Sequence, residues 1–215
     1  LKAIQTIDRF FVQDEDSAAL LRKHGITEIE VTGDTRFDRV TEICDVAQPV
    51  LEAEAFIAGH TAWVIGSAWP EDMIVIGDRI NRNQGGERFI VVPHEVDEDS
   101  LRQIESYCDG KSVRWSQLSN GPAGHTVLIV DQIGLLSRLY RHASYAWVGG
   151  AYGKGLHNIL EAAAYGIPVF FGNLNWQKFR EARELVAAGG AWSVKDDWEL
   201  NKILAGLEPE TTAYR

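Results

Sequence analysis

Short apolar runs alternate with stretches of helical period along almost the whole chain. Runs at Phe10–Gln13, Ile29–Thr32, Ala62–Gly66, Phe89–Val92, Val127–Val130, Tyr145–Val148, Val169–Phe171 and Ala191–Val194 predict strands. Between them, apolar residues three and four apart predict helices over Glu15–His24, Glu71–Arg82, Asp99–Cys108, Ile133–Arg141, Asn158–Tyr165, Trp176–Ala188 and Asp197–Ala205. Strands this short and apolar read as buried on both faces. With helices as crossovers, they predict an α/β fold of βα units around a mostly parallel sheet. Gly25 and Gly166 each follow a helical run directly and read as helix stops. From Gly33 to Gln48 charges break the rhythm ahead of Pro49. The expected organisation is therefore the end of one domain (1–34), a linker (35–49) and one complete α/β domain (50–215). Gln117–His125 is expected as a polar loop, and the residues after Leu207 as a polar, fraying tail.

Length and composition narrow the functions available. A chain of 215 residues holds one large or two small domains, and 45% hydrophobic residues fill a core. A net charge of −10 argues against a general nucleic-acid binder, while leaving room for a local pocket for one nucleotide. Cys44 and Cys108 lie far apart with no Cys-x-x-Cys, which points away from a disulfide framework or zinc site and towards a reducing, cytoplasmic setting. No apolar run approaches the roughly 20 residues of a membrane span. The chain begins at Leu1 without methionine and is expected to be a fragment of a longer protein.

The densest chemistry lies in Val148–Glu161, where a strand runs into the glycine-rich turn Gly149-Gly150-Ala151-Tyr152-Gly153-Lys154-Gly155 and then a polar helix start. Glycines let a backbone approach a ligand, and a helix start offers unpaired N–H groups, so the segment is expected to hold a phosphate or another anion. Asn158 and Glu161, three apart, share a helix face and are placed for ribose hydroxyls. The spacing Gly-Gly-x-x-Gly-x-Gly is not the dinucleotide fingerprint, which argues against a nicotinamide or flavin cofactor. The alternative is an ordinary glycine-rich strand-to-helix loop.

Ligands of open parallel sheets bind beyond the carboxyl ends of the strands. Four loops meet that condition: Gly66-Ser67-Ala68-Trp69, Pro93-His94-Glu95, Asp131 to Leu136, and the glycine-rich turn. His94 is a candidate for a phosphate or sugar acid, or is a surface histidine. His157 faces a ligand or packs under the loop. Ser67 and Asp131 read first as caps of the helices that follow them. The seven tryptophans form no stripe for stacked bases and read as core or interface residues. No Ser/His/Asp arrangement or metal-ligand spacing stands out, so no metal is expected.

Val130 to Tyr140, Trp147-Val148-Gly149-Gly150 and His157-Asn158-Ile159-Leu160-Glu161-Ala162 together resemble the C-terminal half of 3-deoxy-D-manno-octulosonic acid (Kdo) transferases. So do Phe11-Val12-Gln13, Gly33-Asp34-Thr35-Arg36-Phe37-Asp38, Gly66-Ser67-Ala68-Trp69, Gly166-Ile167-Pro168-Val169 and Phe171-Gly172-Asn173. The resemblance implies one Rossmann-like half of a two-domain GT-B glycosyltransferase, binding CMP-Kdo, with the end of the acceptor domain at 1–34. It implies inverting, metal-independent transfer of Kdo to a lipid A precursor in lipopolysaccharide biosynthesis, with no cofactor. It places the parent enzyme at the cytoplasmic face of the bacterial inner membrane, in contact with lipid through the part before Leu1. Matching CMP-binding positions are Pro93, His94, Gly134, Leu135, Leu136, Asn158, Ile159, Leu160 and Glu161. The family's general base falls before Leu1, so no catalytic residue is expected in this chain and the isolated chain is expected to be inactive.

Two positions depart from the family pattern. Pro93-His94-Glu95 stands where many relatives read Pro-Arg-His, which replaces an always-charged arginine by a pH-dependent histidine. Gly134-Leu135-Leu136 stands where many read Gly-Glu-Leu, which leaves only backbone contacts there. The competing functions are a GT-B transferase or epimerase using a UDP-sugar, and a non-catalytic nucleotide-binding module.

Overall fold

The computed structural model describes residues 4–46, 48–84, 86–118 and 124–207. The tail after Leu207 and the middle of the Gln117–His125 loop lie outside the described residues. The chain divides into two compact units between Asp45 and Val46.

In the first unit, β1 (Phe10–Val12) and β2 (Ile29–Val31) pair in parallel, and α1 (Glu15–Lys23) forms the crossover. Asp14 caps α1 by accepting the Ser17 N–H at 2.7 Å, and Gly25, at φ 81°, follows its end as predicted. The span expected as a linker is instead largely helical, as α2 (Thr35–Val46). Its apolar residues Phe37, Val40 and Cys44 recur at helical spacing behind the charges, and Asp34 accepts the Arg36 N–H at 3.0 Å where the helix begins.

The second unit opens with α3 (Leu51–Ile57), β3 (Thr61–Ala68), α4 (Pro70–Arg82), β4 (Glu87–Pro93), α5 (Glu98–Ser106) and β5 (Ser112–Arg114). It continues with β6 (Val127–Ile129), α6 (Leu136–Leu139), β7 (Tyr145–Val148), α7 (Leu160–Ala163), β8 (Val169–Gly172), α8 (Arg180–Ala187), β9 (Ala191–Val194) and α9 (Asp197–Gly206). The seven strands form one all-parallel sheet in the order β5-β6-β4-β3-β7-β8-β9. Alternate strand residues go to opposite faces. Val64, Ile90, Leu128 and Ala146 pack with Phe56, Ile159 and Ala182, while Trp63, Phe89, Ile129 and Trp147 pack with Met73, Ile76, Leu101 and Leu200. Burial on both faces is why these strands read as continuous apolar runs.

Three helices are shorter than predicted. Gly134, at φ 88°, delays α6 to Leu136, and the predicted Asn158–Tyr165 helix is the four-residue α7. The predicted Trp176–Ala188 helix breaks at Phe179, whose backbone is extended (φ −90°, ψ 117°). β5 escaped prediction because it is an edge strand with one apolar residue between Ser112 and Arg114.

The connectivity positions the site. From β3 the chain goes to β4, then to the edge strand β5, and returns to insert β6 between them before crossing back to lay β7, β8 and β9 on the other side of β3. β3 and β7 are neighbours whose following chains diverge, and a crevice opens at the carboxyl ends of such a pair. β6, β4, β3 and β7 are contiguous, so the four loops singled out in the sequence stand side by side.

Candidate functional site

The carboxyl end of β3 is irregular. Ser67 sits at φ 48°, in the left-handed region, and the pairing with β4 shifts register between Ile65 and Ala68. Ser67 does not cap α4, as had been expected. Trp69 is the N-cap residue, and its backbone N–H donates to Asp72 Oδ2 at 3.0 Å. A side chain on Gly66 would overlap the Tyr140 hydroxyl and Leu136, so β3 and the α6 segment meet only because residue 66 is glycine.

Across the switch point, the glycine-rich loop leans on the same turn. A Cβ on Gly149 would land on the Ser67 carbonyl oxygen and lie 2.7 Å from Asp72 Oδ2. Gly150, at φ 93°, donates its N–H to Asp72 Oδ2 at 3.0 Å, and the Trp147 indole donates to Asp72 Oδ1 at 3.1 Å. Asp72 is 0% exposed, and nothing in the sequence reading marked it beyond its place in a predicted helix. Burial lifts its carboxyl from the usual range to about 6, against the lowering effect of its three N–H donors.

The loop uses its own amides. Gly153 and Gly155 donate to the Gly150 carbonyl at 3.2 and 2.8 Å, and His157 donates to the Gly149 carbonyl at 3.2 Å. Together with Gly150, four N–H groups expected to cradle an anion are thus committed internally. α7, at four residues, is also too short to present a helix-end field. On the glycine-loop side of the crevice, positive charge therefore comes from the Lys154 side chain, and the carboxylates of Glu71 and Glu95 also line the cleft.

A cleft with about 200 Å3 of internal space opens here, lined by Ala68, Trp69, Pro93, His94, Gln103 and Lys154 among others. Trp69 and His94 stack with ring centroids 4.3 Å apart and planes at 25°. His157 lies 4.5 Å from His94 and accepts the Trp69 indole N–H on Nε2 at 3.0 Å, which leaves its own proton on Nδ1. Burial, and secondarily the charge of His94, hold His157 below the ordinary histidine range. Lys154 places its ammonium 4.9 Å from the Trp69 ring centroid. Trp69 thus presents an aromatic face beside a cation, a role its isolated position in the sequence did not reveal.

Of the predicted site residues, Pro93 and His94 line this cleft, and Gly134, Leu135, Leu136, Asn158, Ile159, Leu160 and Glu161 do not. Ile159 and Leu160 are buried, and Leu135 and Leu136 pack on the core, so their side chains serve packing. Asn158 precedes α7 rather than sharing a helix face with Glu161, and the two side chains bond each other: Asn158 Nδ2 donates to Glu161 Oε1 at 3.0 Å. Asn158 Oδ1 also accepts the Leu160 N–H at 3.2 Å. The structure brings the two groups near one place, since Leu136 and Tyr140 meet at Gly66 and the buried Tyr140 phenol is pushed up by burial and then by the Glu161 charge. Asp131 does not cap α6. Its carboxylate accepts from the Ser116 N–H at 3.0 Å and from the Ser116 hydroxyl, tying down the turn after β5.

Among the described residues, no cluster of three or more His, Cys, Asp or Glu is arranged to hold a metal ion, and no helix is long and apolar enough to cross a membrane.

No family profile matches the chain. A 3-deoxy-D-manno-octulosonic acid transferase of Chlamydophila psittaci is 27% identical over 216 residues, covering 96% of this chain and 49% of that protein. The transferase of the same name from Aquifex aeolicus is 25% identical over 93% of this chain and 54% of its own length. The chain thus spans about half the length of the curated relatives it matches. In architecture it is similar to the C-terminal CMP-Kdo binding domain of WaaA from Acinetobacter baumannii, with a TM-score of 0.64, 19% identity, and coverage of 84% of this chain and 93% of that domain. The fold is a Rossmann-like α/β domain of the same architecture as that domain.

Proposed function

We propose that this chain is the donor-binding half of a Kdo transferase, holding CMP-Kdo while Kdo passes to a lipid A precursor. The observation that carries the reading is similarity to proteins of that name along 93–96% of the chain, with the cleft at the switch point of the sheet. In this reading Trp69 offers a flat apolar surface, and Lys154 and His94 meet the anionic part of the donor. The Gly134–Leu136 backbone and the Asn158–Glu161 pair hold the nucleoside. As the glycosidic bond to the phosphate breaks with inversion, negative charge grows on CMP, and a fixed cation stabilises it without a metal. The acceptor and the general base belong to the other half of the enzyme, which works at the cytoplasmic face of the inner membrane.

Calorimetric titration of the chain with CMP, UMP and NAD in parallel tests this. CMP is expected to bind and NAD is not. A preference for UMP would move the chain to the UDP-sugar enzymes, and no binding of any of the three would overturn the reading.

A further inference from the structure

Asp72 is a buried carboxylate that forms no ion pair among the described residues. Its three partners are all N–H donors, and they come from three places: the Trp69 N-cap, the indole of β7 and the first turn of the glycine-rich loop. The loop backbone next to that contact carries Lys154 and His157. Gly150 anchors the turn carrying Lys154 through its carbonyl, and Gly149 accepts the His157 N–H. On the β3 side, Asp72 orients Trp69, whose indole donates to His157.

We propose that Asp72 is the positioning residue of the donor site, its carboxylate clamping the β3 turn to the glycine-rich loop so that Trp69, Lys154 and His157 face one nucleotide. This rests on the donor-site reading above. Three converging N–H donors match a carboxylate, which only accepts. A carboxyl accepts more weakly and carries a hydrogen that none of the three can take, and an amide turns its NH2 towards at least one of them. Since burial raises this group to about 6, the clamp is complete above that pH and loosens below it. The charged and titratable groups facing Asp72 are Glu71 on its own helix and Tyr152 on the loop, with His157 one hydrogen bond beyond Trp69.

The experiment follows the Trp147 indole N–H and the Gly150 and Trp69 amide resonances of the 15N-labelled chain against pH, and measures CMP affinity of wild type and Asp72→Asn across the same range. The three resonances are expected to move together with a midpoint near 6 in the wild type, and to lose that transition in the variant. The wild-type to variant affinity ratio cancels the titration of CMP and of groups the two proteins share. It is expected to be about tenfold at pH 8 and to close towards unity at about pH 5, the size of one hydrogen bond to a charged group. A ratio constant with pH, or resonances that titrate separately, would overturn the proposal. If Asp72→Asn does not fold, the shared midpoint in the wild type decides alone. Failure of the wild type to bind CMP would overturn the donor reading, and the shared midpoint would still decide whether Asp72 clamps the two loops.

Discussion

At the scale of single residues, the cleft depends on side chains whose partners were invisible in the sequence. The Asn158–Glu161 bond makes two substitutions informative. Glu161→Gln keeps an acceptor for Asn158 and loses the charge, whereas Glu161→Ala loses both. In the donor reading, Glu161→Ala is expected to weaken CMP binding by about 1.5–3 kcal/mol, as for a hydrogen bond to a charged group. Its melting temperature should change little, and Glu161→Gln should fall between the two proteins. Calorimetry alongside thermal unfolding checks this, and lost stability with unchanged affinity would leave Glu161 a purely structural partner of Asn158. His94 has a simpler test. Arginine stays charged at every working pH and presents a planar fork to phosphate, so His94→Arg is expected to bind CMP at least as tightly as wild type at about pH 8. A weaker complex would place His94 away from the phosphate.

At the scale of elements, short-range contacts set where segments begin and how closely they approach. α3 has no side-chain cap of its own. The N–H of its N-cap residue, Val50, instead donates to His142 Nε2 at 3.0 Å, ninety-two positions along the chain. Replacing His142 by Phe leaves that N–H unpaired and is expected to cost about 1–3 kcal/mol in denaturant unfolding. Burial holds His142 below the ordinary histidine range, against the opposing charge of Glu54 and with help from Arg141 and Arg138. The unfolded chain therefore takes up the proton first. The contribution of His142 is present above about 6.5 and lost as pH falls through the histidine range, and His142→Phe should lose this part of the acid dependence. At the switch point, a methyl group on Gly149 meets backbone rather than a movable side chain. Gly149→Ala is expected to destabilise by about 1–3 kcal/mol or more. Gly155→Ala, which meets open space at φ 110°, should pay only in backbone strain and cost less. Equal losses would mean the β3–β7 approach is looser than its geometry.

At the scale of the whole molecule, the all-parallel sheet explains why one cleft gathers residues from four stretches of sequence. Parallel order sends every carboxyl end to one side, and the reversal beside β3 leaves room there. The 215-residue chain is expected to bind CMP and to transfer no Kdo to lipid, because it spans about half of its relatives and the acceptor side belongs to the other half in the proposed reading. Mass spectrometry of a lipid A precursor incubated with CMP-Kdo and this chain checks it, and a Kdo adduct would show that one half suffices.

The α/β class, every strand but the edge strand β5 and the family resemblance were legible in the amino-acid sequence. Strands buried on both faces leave unbroken apolar runs, and Gly25 and Gly166 mark helix ends by a local backbone requirement that needs no partner. The motif around His157-Asn158-Ile159-Leu160-Glu161 was equally plain, because glycine spacing and polarity are written in consecutive residues. Tertiary structure alone decided what those groups do. It made 35–46 a helix, bound the N–H groups of Gly153, Gly155 and His157 to the loop's own carbonyls, joined Asn158 to Glu161, and turned Asp131 towards Ser116. It also made Asp72, an unremarked carboxylate on an amphipathic helix, the meeting point of the turn beside it and a loop that begins seventy-eight positions further along the chain. Local pattern records which face a residue takes. Hydrogen-bond partners are set by the packing of distant strands, and no period along the chain carries that information.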